Sequence, residues 1–390
     1  MTQEEAFKIL TSGSNCFLTG KAGTGKSYLT QQYIEHLKKN NKEVIVCAPT
    51  GVAAINIGGA TIHSTFIMHG MYPFLKPYKN QKVVWKKIKT LILDEVSMVG
   101  PDYLDYINFI LQEERRSIRP FGWIQVVLVG DEKQLPPVYS ANFEQDQKNL
   151  QLVMNKYNNN LVFTQANAFI DWEFECLELD EIKRQTDPKL IDLLNRVREW
   201  DLSALDGFQQ GYGHAHTVHL RPYNKMVNSF NDKRLAIIKE PEFTYHGIIT
   251  DRFDIKNAIT PQILVLKKWA RIMVTVNHKE TWLVNGDIGT IVHLDDQTVT
   301  IVADRFWDKH FTLSKYTWNQ IEYAEWDEEV IGSYIQIPLK LAWALTIHKS
   351  QGLTLESVSV NIVRGMQPAM LYVALSRCVS WEGLYVNKLY

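Results

Sequence analysis

The chain has 390 residues, of which 45% are hydrophobic and 22% charged, and its formal net charge is −1. This length predicts two or three domains, and the near-neutral charge excludes nucleic-acid binding driven by bulk positive charge, so any such binding needs a local groove. No apolar run approaches the roughly 20 residues of a membrane span, and we expect no membrane partner. The acidic start MTQEEAFKIL resembles neither a signal nor a transit peptide, which predicts a cytoplasmic location. Four scattered cysteines favour reduced thiols over a zinc site.

The first 180 or so residues alternate apolar strands with helical patterns. NCFLTG (15–20) predicts a strand that ends in a glycine loop, and residues 26–40 carry apolar side chains on one face, as an amphipathic helix does. Three further apolar runs predict strands buried on both faces of a parallel sheet: 43–48, 90–95 and 124–130. Strand and helix in alternation predict a doubly wound α/β domain.

The loop between that strand and that helix reads GKAGTGKS (20–27), which fits the phosphate-binding pattern G-x-x-x-x-G-K-[ST]. Its glycines let backbone N–H groups turn toward phosphate oxygens. Lys26 would supply positive charge to the outer phosphates, and Ser27 can bind magnesium. A purely structural glycine turn is the alternative, but the strand before the loop and the helix after it favour nucleotide binding.

Two later strands also end in polar residues. Because parallel strands present their carboxyl ends at one edge of the sheet, Asp94 and Glu95 in ILDEVS would lie beside the phosphate loop. Asp94 would then hold magnesium and Glu95 would take a proton from the attacking water, whereas each alone is also compatible with a solvated strand end. In VGDEKQLPPV (129–138), Gln134 is placed to sense the γ-phosphate or its water, and Pro136 to form a rigid edge, with an ordinary turn as the alternative. No NKxD motif for guanine is present, so ATP is favoured over GTP.

A second strand–helix series begins at about residue 217 and is interrupted by alternating residues with NG and DD turn signals. This pattern predicts antiparallel strands inserted into a second α/β domain. The predicted organisation is a first domain over 1–175 with a small arm at about 67–88, a second domain over 176–276 and 336–390, and an inserted β-barrel over 277–335.

Taken together, these segments resemble the Pif (petite integration frequency) helicases, a RecD-like family in the 5′-to-3′ branch of superfamily I. Four stretches follow the family's order: the early DNA-contacting motif (48–66), the signature segment leading into the third motif (116–138), the fifth motif (339–358) and the sixth (371–378). Trp123 stands where the family usually has a second glycine. The resemblance implies two RecA-like domains with an SH3-like barrel inserted in the second. It also implies an ATP-driven, magnesium-dependent motor that moves 5′ to 3′ on single-stranded DNA and unwinds tailed or structured DNA.

The resemblance also implies roles for single residues. ATP would be contacted by an adenine-reading glutamine, by the loop and by the fifth motif, at Gln3, Gly20, Ala22, Gly23, Thr24, Gly25, Lys26, Ser27 and Gly352. Arg184 and Arg377 match catalytic arginines that stabilise phosphoryl-transfer charge, the alternative being buried salt bridges within the second domain. DNA contacts would come from Thr50, Thr61, His63 and Pro136 on the first domain and from Asn224, Thr346, His348 and Ser350 on the second.

Other functions stay open because the motifs identify an ATP-driven motor but not the nucleic acid on which it moves. An ATP-driven translocase that acts on RNA or displaces proteins fits the same motifs. A nucleotide-gated clamp that hydrolyses nothing is disfavoured by Glu95, Gln134 and Arg377. The arm at about 67–88 is either a strand-splitting wedge or a solvated loop. The inserted barrel is expected to cover the path of the DNA. We expect the basic active form to be a monomer.

Overall fold

The computed structural model describes residues 1–388 apart from 51–52, 55–56, 67, 69–84, 140–143, 254, 256–257, 277, 279–280, 282, 284, 307 and 324–327. Most of the predicted arm therefore lies outside the described residues. The chain divides into two compact units, with Met1–Arg184 in the first and Gln185–Glu322 and Glu329–Tyr390 in the second. Among the described residues, no helix has both the length and the apolar character that crossing a membrane requires.

The first unit is built on a parallel sheet. Its six described strands are β1 (Cys16–Gly20), β2 (Val44–Ala48), β3 (Ala60–Thr61), β4 (Thr90–Leu93), β5 (Gln125–Val129) and β6 (Glu175–Leu179), in the order β3-β2-β4-β5-β1-β6. All neighbouring strands run parallel. The described helices are α1 (Gln3–Ser12), α2 (Lys26–Lys39), α3 (Ile62–Thr65), α4 (Pro101–Arg115), α5 (Glu144–Lys156) and α6 (Asn167–Ile170).

Apolar side chains cover both faces of this sheet, as the uninterrupted apolar runs predict. Along β4, Leu91 and Leu93 belong to one hydrophobic cluster and Ile92 to another, since successive strand side chains point to opposite faces. All four residues of β4 are buried. The α/β class with a parallel sheet is confirmed.

The two ends of the predicted arm are tied together and to the sheet. Phe66 stacks on Trp85 with ring centroids 4.9 Å apart and an interplanar angle of 14°. The guanidinium of Arg115, at the end of α4, donates to the carbonyls of Trp85, Ile88 and Gly122, the last at 2.7 Å. The root of the arm is therefore fixed by residues of the first unit's core.

The second unit contains another parallel sheet, in the order β19-β8-β20-β21-β7. In chain order its strands are β7 (Gln209–Gln210), β8 (Val218–Arg221), β9 (Phe243–His246), β10 (Ile248–Asp251), β11 (Ile263–Leu266), β12 (Arg271–Val274), β13 (Ile288–Leu294), β14 (Val299–Ala303), β15 (His310–Leu313), β16 (Tyr316–Tyr323), β17 (Glu328–Gln336), β18 (Leu339–Leu341), β19 (Ala344–Thr346), β20 (Val358–Ile362) and β21 (Leu384–Lys388). Its described helices are α7 (Pro188–Arg198), α8 (Asn224–Ile237), α9 (Ile347–Ser350) and α10 (Pro368–Leu375).

Antiparallel pairing occupies the middle of this unit. A five-stranded sheet has the order β15-β14-β13-β12-β18, and two smaller sheets join β10-β17-β16 and β11-β9. Ile248 of β10 pairs with Ile335 of β17, and Ile272 of β12 pairs with Leu341 of β18. The antiparallel region therefore runs from β9 to β18 and is longer at both ends than the predicted insertion of 277–335.

Candidate functional site

The phosphate-loop sequence forms the connection between β1 and α2. The ammonium of Lys26 donates to the carbonyls of Gly20 at 2.6 Å and of Lys21 at 3.0 Å, and the hydroxyl of Thr24 donates to Lys21 at 3.0 Å. Gly25 caps α2 with φ +85°, a left-handed conformation in which a side chain is disfavoured. The loop is thus a backbone-lined turn at a helix N-terminus, which is the arrangement that binds phosphate.

Two flanking segments hold this loop from outside. The side-chain amide of Gln3 donates to the carbonyl of Thr24 at 3.1 Å and to that of Gly25 at 3.4 Å. The carbonyl of Gly23 accepts the backbone N–H of Lys183 at 2.8 Å and that of Arg184 at 3.2 Å. Gln3 therefore lies at the loop, where the sequence analysis expected a nucleotide contact.

The acidic pair follows β4 at the same edge of the sheet. Asp94 is 8% exposed, and burial, reinforced by the neighbouring charge of Glu95, raises its pKa, while Lys26 acts in the opposite direction. The backbone N–H of Glu95 donates to Asp94 at 2.9 Å, and Glu95 itself has φ +52°. A buried carboxylate beside a second acid is stabilised as an anion by a cation, so Asp94 together with Ser27 of the loop suits a magnesium ion.

The third polar segment follows β5. The N–H of Gly130 donates to the carbonyl of Leu18 in β1 at 3.1 Å, which joins this segment to the strand before the phosphate loop. Asp131 is fully buried and organises the turn: its carboxylate accepts the N–H of Lys133 at 3.1 Å and its carbonyl accepts that of Gln134 at 2.9 Å. Gln134 is 7% exposed, whereas Pro136 is exposed. Sequence reasoning missed Asp131, although its position directly after a buried strand was a signal.

The two candidate arginines differ in burial. Arg184, which ends the segment Met1–Arg184 of the first unit, is half-buried. Arg377, in the second unit just after α10, is only 2% exposed. Its guanidinium donates to Val373 O at 2.8 Å, to Leu353 O at 3.5 Å and to the Ser376 hydroxyl at 2.9 Å. These partners are neutral oxygen atoms. The fifth-motif residue Gly352 directly precedes Leu353 and has φ +79°.

The predicted DNA contacts include a short motif that occurs once in each unit. Thr61 caps α3 by accepting the N–H of Ser64 at 3.2 Å, and Thr346 caps α9 by accepting that of Lys349 at 3.3 Å. Each threonine ends a parallel strand and is followed by a buried isoleucine and an exposed histidine, His63 or His348. The repeated Thr-Ile-His is visible in the sequence as a signal that the two positions are equivalent.

The other predicted DNA contacts differ in accessibility. Thr50 accepts the N–H of Ala53 at 3.2 Å, and Asn224 is the exposed first residue of α8. Ser350 is fully buried and donates its hydroxyl to Ile347 O at 2.8 Å. Ser350 therefore has no atom exposed to DNA in this structure, and its role as a DNA contact stays a prediction.

Comparison with known proteins places these features in a family. The family model described as PIF1-like helicase matches residues 2–206. The chain is 30% identical to the ATP-dependent DNA helicase Pif1 of Psychrobacter sp. over 98% of this chain and 67% of that protein. It is 31% identical to the Bdellovibrio bacteriovorus protein of the same name, over 98% of this chain and 86% of that one. Against PIF1 of Danio rerio it is 32% identical, and it spans only 60% of that protein's length.

Solved structures agree with the sequence matches. Bacteroides sp Pif1 in complex with ADP-AlF4 is 33% identical, with a TM-score of 0.84 over 100% of this chain and 92% of that chain. Bacteroides Pif1 bound to ssDNA gives a TM-score of 0.71 at 33% identity over 100% and 92%. Pif1 from Candida albicans gives 0.78 at 30% identity over 100% and 94%.

Proposed function

Since the chain belongs to the PIF1-like helicase family, we propose that it is an ATP-dependent DNA helicase that moves 5′ to 3′ along single-stranded DNA and unwinds duplex or structured DNA. The observation that carries this proposal is the arrangement of polar residues at the carboxyl ends of the strands in the first unit's sheet. There the phosphate loop, the acidic pair and Gln134 follow three adjacent parallel strands, β1, β4 and β5. The relatives are ATP-dependent DNA helicases by name, which points to ATP and DNA as substrates.

On this proposal, each of the polar residues at the carboxyl ends of these strands has a chemical task. Lys26, which now donates to two loop carbonyls, would donate to the outer phosphates of ATP. Mg²⁺ held by Ser27 and Asp94 would neutralise phosphate charge. Glu95 would accept the proton of the attacking water, and Gln134 would orient that water or sense the γ-phosphate.

Arg184 and Arg377 are proposed to stabilise the negative charge that develops on the transferred phosphoryl group. Arginines in this role contribute about 10³–10⁵ in rate in other phosphoryl-transfer enzymes. The contacts of Arg377 support this task, because hydrogen bonds to Val373 O and to the Ser376 hydroxyl fix the orientation of the guanidinium.

The DNA track is proposed to be neutral in charge. Threonine, histidine and asparagine at Thr61, His63, Asn224, Thr346 and His348 are donors that suit a phosphate backbone and do not read sequence. This explains how a chain of net charge −1 can bind DNA. The proposed basic active form is a monomer, which analytical ultracentrifugation with and without DNA would test.

The experiment is steady-state ATP hydrolysis with and without a short single-stranded oligonucleotide, on wild type, Arg377→Ala and, as a matched control, Arg305→Ala. Arg305 pairs with Asp287 at 2.8 Å in the antiparallel region. We expect strong stimulation by DNA that is lost in Arg377→Ala and kept in Arg305→Ala. An equal rate of ATP hydrolysis with and without the oligonucleotide would contradict the proposal. Unwinding of duplexes with a 5′ or a 3′ tail, made of DNA or of RNA, tests polarity and separates a DNA helicase from an RNA translocase.

A further inference from the structure

The buried side chain of Gln185 holds the backbone on both sides of Arg377. Gln185 is 2% exposed, and its amide nitrogen donates to the carbonyl of Ser376 at 3.0 Å and to that of Cys378 at 2.8 Å. A side-chain amide has two N–H hydrogens, and both are used here. Gln185 is next to Arg184 in the chain but belongs to the second unit, as Arg377 does.

These carbonyls need donors because of where the helix ends. Helix α10 ends at Leu375, so the carbonyls of Ser376 at its cap and of Cys378 beyond it have no partner within the helix. Ser376 and Cys378 are buried, so water does not satisfy them. The backbone N–H of Leu355 donates to the carbonyl of Arg377 at 2.9 Å. Three consecutive carbonyls are thus satisfied by two residues, Leu355 in the middle and Gln185 on either side.

The guanidinium of Arg377 is anchored to the same turn. Its Nε donates to Val373 O at 2.8 Å, and one terminal nitrogen donates to the hydroxyl of Ser376 at 2.9 Å. The Ser376 hydroxyl in turn donates to Val373 O at 3.0 Å. A displacement of the Ser376 backbone would therefore move the guanidinium, because the turn holds both the backbone of Arg377 and, through Val373 O and the Ser376 hydroxyl, its side chain.

We infer that Gln185 is a positioning residue for Arg377: it acts on catalysis only by fixing the backbone from which that arginine extends. The inference rests on the proposed function, because it gives Arg377 a task at the terminal phosphate. Displacing a catalytic group by about 1 Å can reduce the rate about 10²-fold, so a loosened turn has a measurable effect on turnover.

The test is a double-mutant cycle of Gln185→Met and Arg377→Ala, read by DNA-stimulated ATP hydrolysis. Methionine keeps the approximate length of glutamine and removes both donors. We expect Gln185→Met to lower kcat about 10- to 100-fold with KM for ATP changed less than about threefold, and to change kcat less than about twofold when Arg377 is already alanine. The affinity for ADP with aluminium fluoride should fall by a similar factor, and the affinity for ADP alone should not.

The matched control is Gln336→Met. Gln336 is also fully buried, and its amide donates to the carbonyls of Tyr245 at 3.0 Å, Pro261 at 3.3 Å and Gln262 at 3.2 Å in the antiparallel region. It should lower the melting temperature without lowering kcat. If Gln185→Met does not fold, Gln185→Asn, which keeps the amide but shortens its reach, takes its place in the cycle.

Two results overturn the inference while leaving the proposed function in place. One is an equal loss of kcat from Gln185→Met with and without Arg377, and the other is unchanged turnover in Gln185→Met. A wild-type protein that shows no DNA-stimulated hydrolysis would instead refute the proposed function and, with it, the task assigned to Arg377.

Discussion

Replacing Gly25 by alanine tests how the nucleotide loop is built. Gly25 has φ +85°, where an L side chain costs about 1–2 kcal/mol. The added Cβ would also lie 2.2 Å from the amide nitrogen of Gln3, so that side chain must move. Gln3 then loses its bonds to the carbonyls of Thr24 and Gly25, worth about 1 kcal/mol each. We expect Gly25→Ala to lower the free energy of unfolding of the first unit by about 3–4 kcal/mol.

A second glycine separates the two contributions. Gly13, at the end of α1, has φ +93°, and a Cβ there would have no atom within 4 Å. Gly13→Ala should therefore show only the backbone cost of about 1–2 kcal/mol. The double variant Gln3→Ala/Gly25→Ala removes the collision, so it should be no less stable than Gly25→Ala alone. Urea unfolding followed by circular dichroism measures all four proteins.

Nucleotide binding provides the functional measurement. Because Gly25 sets the start of α2, its distortion turns the phosphate-facing N–H groups away, and we expect affinity for a fluorescent ATP analogue to fall at least about tenfold in Gly25→Ala. Gly13→Ala should bind like wild type. Equal stability and equal affinity in the two alanine variants would refute the argument, since the contact with Gln3 would then have no consequence.

Two further predictions concern histidines. Burial, with the charges of Arg221 and Arg234 adding to it, lowers the pKa of His219 to about 4, so the unfolded chain binds more protons between about pH 6.5 and 4. Stability should fall by about 2 kcal/mol between pH 7 and pH 5, and His219→Gln should lose less over that range in urea titrations; an equal loss would contradict the assignment. His63→Ala and His348→Ala should each weaken binding of a labelled oligo-dT about tenfold in fluorescence anisotropy, and unchanged affinity in both would exclude the repeated Thr-Ile-His as a DNA contact.

Local signals in the sequence predicted the first unit well. The apolar runs and the glycine-rich loop are continuous in the chain, so β1, β2, β4, β5 and the helix α2 could be placed within a residue or two, whereas β3 and β6 were not predicted. The antiparallel region was harder because its pairing is not local. Strand β10 joins β17, whose residues lie more than 80 positions later, and no short window of sequence contains both.

The same limit applies to single residues. Gln185 was visible in the sequence directly after Arg184, but its partners lie 191 and 193 residues further along the chain. At Trp123, sequence shows a bulky residue where the family usually has glycine, yet the backbone keeps φ +65°. The ring is 62% exposed, with the guanidinium of Arg119 3.8 Å from its centroid. A positive φ at a tryptophan, a residue that disfavours this conformation, cannot be predicted from residue type.

The stacked pair Phe66 and Trp85 brings together two positions that are distant in the chain. Closing a loop costs free energy that grows with the logarithm of its length, about 0.6 kcal/mol for each doubling. Here Phe66 and Trp85 meet through an aromatic stack, and Arg115 holds the chain after Trp85 by donating to the carbonyl of Ile88, so the free energy of bringing the two positions together is supplied by described residues of the first unit. The positions at which the chain leaves and rejoins the core are therefore set by Phe66, Trp85 and Arg115.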